Sequence, residues 1–137
     1  DEGVGKSIYL HSMCDLFGMH AYYASGTSNL TDKFNDEIEY CLYFAGDEAI
    51  WAGNIKAMGI IKAMVTETTG QTEKKFESKR RHRNRITIDL ATNSDWVWNM
   101  AGHGRRCVVF AVSDCYQGEQ GRLFYASMKQ QWHHQGG

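Results

Sequence analysis

A short run of glycines and polar residues near the start of the chain has the composition of a phosphate-binding loop. Residues 3–7 read Gly3-Val4-Gly5-Lys6-Ser7, and the last three match the end of the phosphate-loop pattern G-x-x-x-x-G-K-[ST]. Glycines let backbone N–H groups close around phosphate oxygens, and the helix that follows presents its positive end to them. In such a loop Lys6 reaches the β- and γ-phosphates and Ser7 holds Mg²⁺. The pattern therefore predicts an ATP-binding loop at residues 3–7.

Two further polar signals come directly after apolar stretches. Asp47 and Glu48 follow the sequence EYCLYFA, whose apolar character predicts a buried strand. In a phosphate-loop enzyme the Asp at such a strand end supports Mg²⁺, and the neighbouring Glu polarises the attacking water. Asn93 follows the β-branched stretch ITIDLAT, where its amide would orient that water or sense the γ-phosphate. The alternatives are surface acids at a strand exit for Asp47 and Glu48, and a helix N-cap region for Asn93.

Positive charge is concentrated in one short segment. Residues 74–85 contain seven of the fifteen basic residues and a single acid, so this segment carries +6 and the remainder of the chain −7. A run this dense indicates an anionic partner, nucleic acid first, and its alternative is a solvated basic loop. The DNA-binding candidates are Lys75 and Lys79 in the first place, supported by Lys74, Arg80, Arg81 and Arg83.

The spacing of apolar residues predicts the elements that must position these groups. Helices are predicted over 8–17, 54–66 and 123–132, with a short one starting at 93–95; strands are predicted over 39–45, 86–92 and 107–112, with two short ones forming a hairpin within 74–85. Gly18 and residues 68–70 are predicted to end the first two helices, and 19–33 and 102–106 are predicted to be irregular. Strands that alternate with helices predict a largely parallel α/β sheet.

Composition excludes several classes of protein. Hydrophobic residues make up 42% and charged residues 23% of the 137-residue chain, which argues against disorder or collagen and fits one domain. No apolar run approaches the ~20 residues of a membrane-spanning helix, and the acidic start is unlike a signal peptide. The four cysteines lack CxxC spacing, which favours small buried hydrophobes in a reducing, intracellular compartment. That compartment would be the host cytoplasm for a viral or phage protein.

The order of these motifs resembles the ATPase core of superfamily 3 helicases, the ring-forming AAA+ type of phage, plasmid and viral primase-helicases. GVGKS resembles the family's Walker A motif, the strand ending in Asp47 and Glu48 its Walker B motif, and ATN its motif C, whose Asn acts as sensor 1. Residues 61–84 resemble the segment that holds a DNA-contacting β-hairpin. GRRCVVFAV resembles an arginine pair before a strand, which would make Arg105, or in second place Arg106, the arginine finger that reaches a neighbour's nucleotide.

The resemblance implies a P-loop NTPase with an AAA+-like, mostly parallel sheet, flanking helices and an inserted β-hairpin, truncated at both ends. Residues 1–137 would be a single AAA+-type core from a longer protein. Its implied function is an ATP-hydrolysing DNA helicase motor that uses ATP and Mg²⁺, translocates on single-stranded DNA as a homo-hexamer and needs no membrane. The implied catalytic residues are Lys6, Glu48, Asn93 and Arg105.

Three departures from the family pattern and two other functions stay open. The first Walker A glycine and the strand before it lie outside the sequence, Asp89 is unexpected inside a buried strand, and Cys107 stands where an aromatic or aliphatic residue is common. One other function is a P-loop kinase of a small metabolite, which has no need of an internal basic hairpin. The second is a non-catalytic nucleic-acid-binding module with a relic P-loop.

Overall fold

A computed structural model describes residues 3–25, 36–48, 55–72, 78–93 and 108–135. Along the chain the elements are α1 (Lys6–Phe17), β1 (Ala21–Ser25), β2 (Tyr43–Asp47), α2 (Ile55–Thr66), β3 (Thr69–Thr72), β4 (Arg80–Arg83), β5 (Thr87–Ala91) and α3 (Gly118–Gln135), with 3₁₀ turns at Gly18–His20 and Asp36–Tyr40. None of the helices in the described part of the chain combines the length and apolar character needed to cross a membrane.

The centre of the fold is a parallel sheet of three strands in the order β1–β2–β5. The central strand β2 pairs Tyr43 with Ala21 on one side and with Thr87 on the other. Its first four residues are all buried, as expected of a strand covered on both faces. The predicted α/β class with a parallel sheet is therefore confirmed, whereas the narrower assignment to the AAA+ type stays a prediction.

The helices α1 and α2 cover opposite faces of this sheet. On one face Leu10 of α1 packs with Tyr43 and Ala45, and the Phe17 ring stacks on Tyr43 with ring centroids 5.0 Å apart. On the other face Ile61 of α2 packs in a separate cluster with Phe44. Residues that alternate along β2 therefore serve different helices, as the period of a strand requires.

A second, smaller sheet is the antiparallel pair of β3 and β4. Asn84, which follows β4, fastens this pair to the end of α2: its Nδ2 donates to the backbone oxygens of Met64 at 2.6 Å and Glu67 at 2.8 Å. The antiparallel pair is predicted correctly, but the position of its first strand is not. Gly70, which is predicted to end α2, lies inside β3.

Three other boundaries differ from the sequence prediction. Strand β1 lies within residues 19–33, which were predicted to be irregular, and it forms because its backbone pairs with β2. Residues 39 and 40 belong to a 3₁₀ turn, so β2 starts only at Tyr43. The buried strand predicted at 107–112 is wrong for 108–112, which carry no regular structure. Phe110 in this segment is 82% exposed. Apolar composition alone does not bury a segment, because burial also needs a neighbouring strand or helix. Cys107 and the predicted helix at 94–100 lie outside the described residues.

Candidate nucleotide site and basic strand pair

The glycine loop has a backbone that only glycine adopts without strain. Gly3 and Gly5 have φ angles of 81° and 89°, in the region that L side chains rarely enter. Gly5 is the N-cap of α1, whose first turn has neither a side-chain cap nor an acidic residue. The first N–H groups of the helix, at Lys6 and Ser7, therefore retain the anion-attracting character of a helix start. Val4, between the two glycines, is buried.

The carboxyl ends of β2 and β5 bring the three distant polar signals together. The two strands are parallel neighbours with Asp47 in register with Ala91, so the residues that follow them emerge at one edge of the sheet. The Glu48 N–H donates to the Ala91 oxygen at 3.0 Å. Asn93 Nδ2 donates to Glu48 Oε1 at 2.6 Å, and Lys6 Nζ donates to Asn93 Oδ1. Lys6, Asn93 and Glu48 thus form one hydrogen-bonded chain, whose catalytic role stays a prediction.

Glu48 is held in an unusual backbone conformation. Its φ of 54° makes it the non-glycine residue with positive φ among the described residues. Such a conformation costs of the order of 1 kcal/mol and persists where the surroundings impose it. Here the bonds from Glu48 to Ala91 and Asn93 impose it, so the carboxylate is aimed by β5 rather than by its own strand.

Asp47, the predicted Mg²⁺ ligand, has a partner that sequence reasoning missed. The Tyr23 hydroxyl donates to Asp47 Oδ2 at 2.7 Å, and the His11 ring stacks on Tyr23 with centroids 4.2 Å apart. Burial, with the hydrogen bond to Asp47 second, raises the pKa of Tyr23 to about 12. Tyr23 therefore stays a proton donor at neutral pH and fixes one oxygen of Asp47.

The donor set at this edge suits Mg²⁺ better than a softer metal. Within the described ranges no group of three His, Cys, Asp or Glu side chains is arranged to hold a metal ion. The candidates are the Ser7 hydroxyl, in the first turn of α1, and the Asp47 carboxylate at the end of β2. Mg²⁺ commonly binds through one or two such protein oxygens and takes its other ligands from phosphates and water.

Asp89, the unexpected acid in β5, is accounted for by two tyrosines. Its Oδ2 accepts hydrogen bonds from the Tyr43 hydroxyl at 2.8 Å and the Tyr9 hydroxyl at 3.0 Å. Burial first, and Asp89 second, raise the pKa of both tyrosines above their usual range. This cluster joins α1 to β2 and β5, so the role of Asp89 is structural.

The C-terminal helix contacts the glycine loop, which no sequence motif predicts. The Tyr125 hydroxyl of α3 donates to the Val4 backbone oxygen at 2.8 Å. The Tyr125 ring also fills the space that a Cβ on Gly5 would need. Gly5 is therefore required twice, by its φ angle and by this close approach.

The basic segment presents arginines on the outer face of the β3–β4 pair. In that pair Arg81 is opposite Gln71 and Arg83 is opposite Thr69, and all four of these residues are exposed. The alternate face carries His82, whose ring covers Gly70 where a Cβ would otherwise stand. Side chains alternate along a strand, so Arg81 and Arg83 share the outward face.

Other predicted DNA-binding residues are exposed beside this basic surface or lie outside the described residues. Lys79 and Arg80 are exposed at the start of β4, and Arg85, which is not among the predicted DNA-binding residues, is exposed just after it. Lys74, Lys75, Arg105 and Arg106 lie outside the described residues. Their predicted roles in DNA binding and as an arginine finger stay predictions.

Comparison with known sequences assigns the family. A sequence family described as "Family of unknown function (DUF5906)" matches residues 1–106. The chain belongs to this family. No curated protein matches the sequence.

Comparison with solved structures finds similar folds. Two apo structures of the NrS-1 C-terminal region are similar, one with a TM-score of 0.57 at 19% identity and the other with 0.59 at 17% identity. The matched part covers 66% of this chain and 22% of each NrS-1 chain. The chain therefore spans about a fifth of each of those C-terminal regions, and at this identity the similarity concerns the fold alone.

Proposed function

We propose that this chain is the ATPase core of a DNA helicase motor in a phage, viral or plasmid replication protein. One observation carries the proposal: Lys6, Asn93 and Glu48 form a hydrogen-bonded chain beside the glycine loop. They meet at the carboxyl ends of parallel strands, which is where open α/β sheets bind their ligands.

In the proposed reaction a water molecule attacks the γ-phosphorus of ATP in line with the bridging oxygen to the β-phosphate. The bond to that oxygen breaks, and ADP and phosphate leave. Glu48 accepts the proton of the water, and Lys6 binds the β- and γ-phosphate oxygens. Ser7 and Asp47 would hold Mg²⁺, which would supply positive charge against the phosphate oxygens. The loop glycines offer backbone N–H groups to the phosphates.

Asn93 has the geometry to link the Lys6 ammonium group to Glu48, the proposed general base. Its oxygen accepts from Lys6 and its nitrogen donates to Glu48. When phosphate oxygens bind Lys6 in place of Asn93, the Asn93 oxygen becomes able to accept a hydrogen bond from the attacking water. The Asn93 nitrogen still donates to Glu48. The residue would thus serve as the sensor of the γ-phosphate that the superfamily 3 resemblance implies.

The β3–β4 pair would supply the contact to single-stranded DNA. Support comes from Arg81 and Arg83, which are exposed side by side on the outward face, and from the +6 charge of residues 74–85. Guanidinium groups bind phosphate oxygens without reading the base. The contact would therefore be insensitive to sequence and strongly dependent on salt.

Ring assembly rests on the resemblance to superfamily 3 helicases. In a homo-hexamer, Arg105 of one subunit would reach the nucleotide of the next and stabilise negative charge in the transition state. Arg106 is the second candidate for this role.

The deciding experiment is ATP turnover by the full-length protein with Mg²⁺, in the presence and absence of single-stranded DNA. A helicase motor hydrolyses ATP, and single-stranded DNA increases the rate of hydrolysis. Lys6→Ala should abolish turnover, whereas Lys62→Ala, a matched change on α2, should leave turnover unchanged. Turnover only with an added small-molecule acceptor would favour a kinase instead. DNA binding without any turnover would favour a nucleic-acid-binding module with a relic loop.

A further inference from the structure

We propose that Tyr116, Phe124 and Tyr125, together the aromatic cluster, form the site that binds the purine base of the nucleotide. Tyr125 fixes the cluster to the glycine loop, and the outer side of Phe124, with the Tyr116 ring stacked behind it, receives the base. This inference rests on the proposed function, because it requires a nucleotide whose phosphates lie in the loop.

The first observation is that the cluster touches the loop itself. The Tyr125 hydroxyl is bonded to the Val4 oxygen at 2.8 Å, and its ring lies against Gly5. In the turn just before α3, Gln117 Cγ lies 4.0 Å from the position that a Cβ on Gly3 would occupy. Gln117 and Tyr125 therefore each lie near one glycine of the loop, so a ligand bound there lies close to α3.

The second observation is that the rings are arranged before any ligand binds. Tyr116 and Phe124 are stacked with centroids 4.2 Å apart and planes inclined by 19°. Phe124 meets Tyr125 edge to face at 5.3 Å. Gly121 allows this arrangement, because a Cβ there would collide with the Tyr116 backbone oxygen. Gly118, with φ of 75°, makes the turn into α3.

The third observation is that two of these rings are only partly covered. Tyr116 is 43% exposed and Phe124 is 41% exposed, whereas Tyr125 is half-buried against the loop. Packing of α3 on the loop explains the burial of Tyr125 but leaves about two fifths of Tyr116 and of Phe124 exposed. A nucleotide needs an apolar, flat surface at one end and N–H donors at the other. The cluster and the loop offer those two surfaces side by side.

The test compares a ligand that has a base with one that lacks it. Dissociation constants of the β,γ-imido analogue of ATP and of inorganic tripolyphosphate are measured by calorimetry on the full-length protein and on Phe124→Ala. The expected result is a loss of roughly tenfold or more for the ATP analogue, as for removal of one stacked aromatic ring, with tripolyphosphate binding unchanged. Tyr40→Ala, which removes a more exposed aromatic ring on the 3₁₀ turn Asp36–Tyr40, should change neither constant.

Each other result has one meaning. Equal effects of Phe124→Ala on both ligands, whether none or a shared loss, would overturn the base site and leave the phosphate loop standing. If the wild-type protein bound neither ligand, the result would contradict the proposed function itself, independently of the base site. Phe124→Leu keeps an apolar side chain on α3 and removes the aromatic face, so it gives the same comparison if Phe124→Ala does not fold.

Discussion

Asn93 Nδ2 donates a hydrogen bond of 2.6 Å to Glu48 Oε1, across 45 residues of sequence. Because the same amide accepts from Lys6 through its oxygen, one side chain connects the cation of the glycine loop to the acid that follows β2. These two hydrogen bonds require a side chain at position 93 that offers both a donor and an acceptor, as an amide does. An aspartate could accept from Lys6 but could not donate to Glu48.

Replacement of Asn93 should therefore lower turnover, and Asn93→Asp tests the bond to Glu48 in particular. We expect Asn93→Ala and Asn93→Asp each to lower kcat for ATP by about 10²-fold, the usual loss when one positioned polar group is removed from a reacting centre. Asn93→Asp also places a second carboxylate against Glu48. Steady-state kinetics and ATP binding, measured together, check this. Normal turnover in Asn93→Asp would show that the bond to Glu48 has no part in catalysis.

The hydrogen bond from Tyr23 to Asp47 should affect Mg²⁺ dependence. Tyr23→Phe removes the donor that fixes Asp47 Oδ2 but keeps the ring that stacks on His11. We expect half-maximal turnover to require about tenfold more Mg²⁺, because partners of a metal ligand typically contribute this much affinity. The matched control is Tyr22→Phe, on the opposite face of β1. An unchanged Mg²⁺ titration in folded Tyr23→Phe would separate Tyr23 from the metal site.

The raised pKa values of the tyrosines predict alkaline destabilisation. In the folded protein the pKa of Tyr23 is about 12, above its ordinary value of 10, and those of Tyr9 and Tyr43 are raised too. The folded state thus favours the protonated phenol, so this stabilisation is complete below pH 10 and is lost as pH rises through 12. Urea midpoints should fall over that range, and less steeply in Tyr23→Phe. A midpoint that stays constant up to pH 12 would contradict the assignment.

The outward face of the β3–β4 pair should determine the salt dependence of DNA binding. We expect the double variant Arg81→Ala/Arg83→Ala to reduce the slope of log affinity against log salt by about 1.4, from about 0.7 for each phosphate contact to a single strand. Arg80→Ala, on the face that carries His82, should change the slope less. Fluorescence anisotropy with unrelated oligonucleotides measures both. An unaltered slope in the double variant would move the DNA contact elsewhere.

The sequence predicts the polar edge of the sheet because local motifs and strand ends coincide there. Lys6, Glu48 and Asn93 each follow or begin a recognisable apolar segment, and parallel strands end at one edge, so their meeting follows from topology. The partners Tyr23 and Tyr125 could not be found in this way. Their bonds to Asp47 and Val4 depend on how β1 and α3 pack, and a tyrosine in a strand or helix carries no motif.

The errors in the predicted elements have equally local causes. Gly70 has the character of a helix terminator, but it is needed as the open position beneath the His82 ring. Residues 108–112 have the composition of a buried strand, yet Val108 is 76% exposed. Apolar β-branched residues favour an extended backbone, whereas burial also requires a neighbouring strand or helix that composition does not specify.

The substitution Glu48→Gln tests the hydrolytic role of the hydrogen-bonded chain most directly. Glutamine keeps the oxygen that accepts from Asn93 but cannot take a proton from water. The measurement is ATP affinity and kcat of the full-length protein with Mg²⁺ and single-stranded DNA. The account predicts wild-type affinity with kcat lowered by about 10²-fold or more, in contrast to Lys6→Ala, which should weaken binding itself. Full turnover in Glu48→Gln would contradict it.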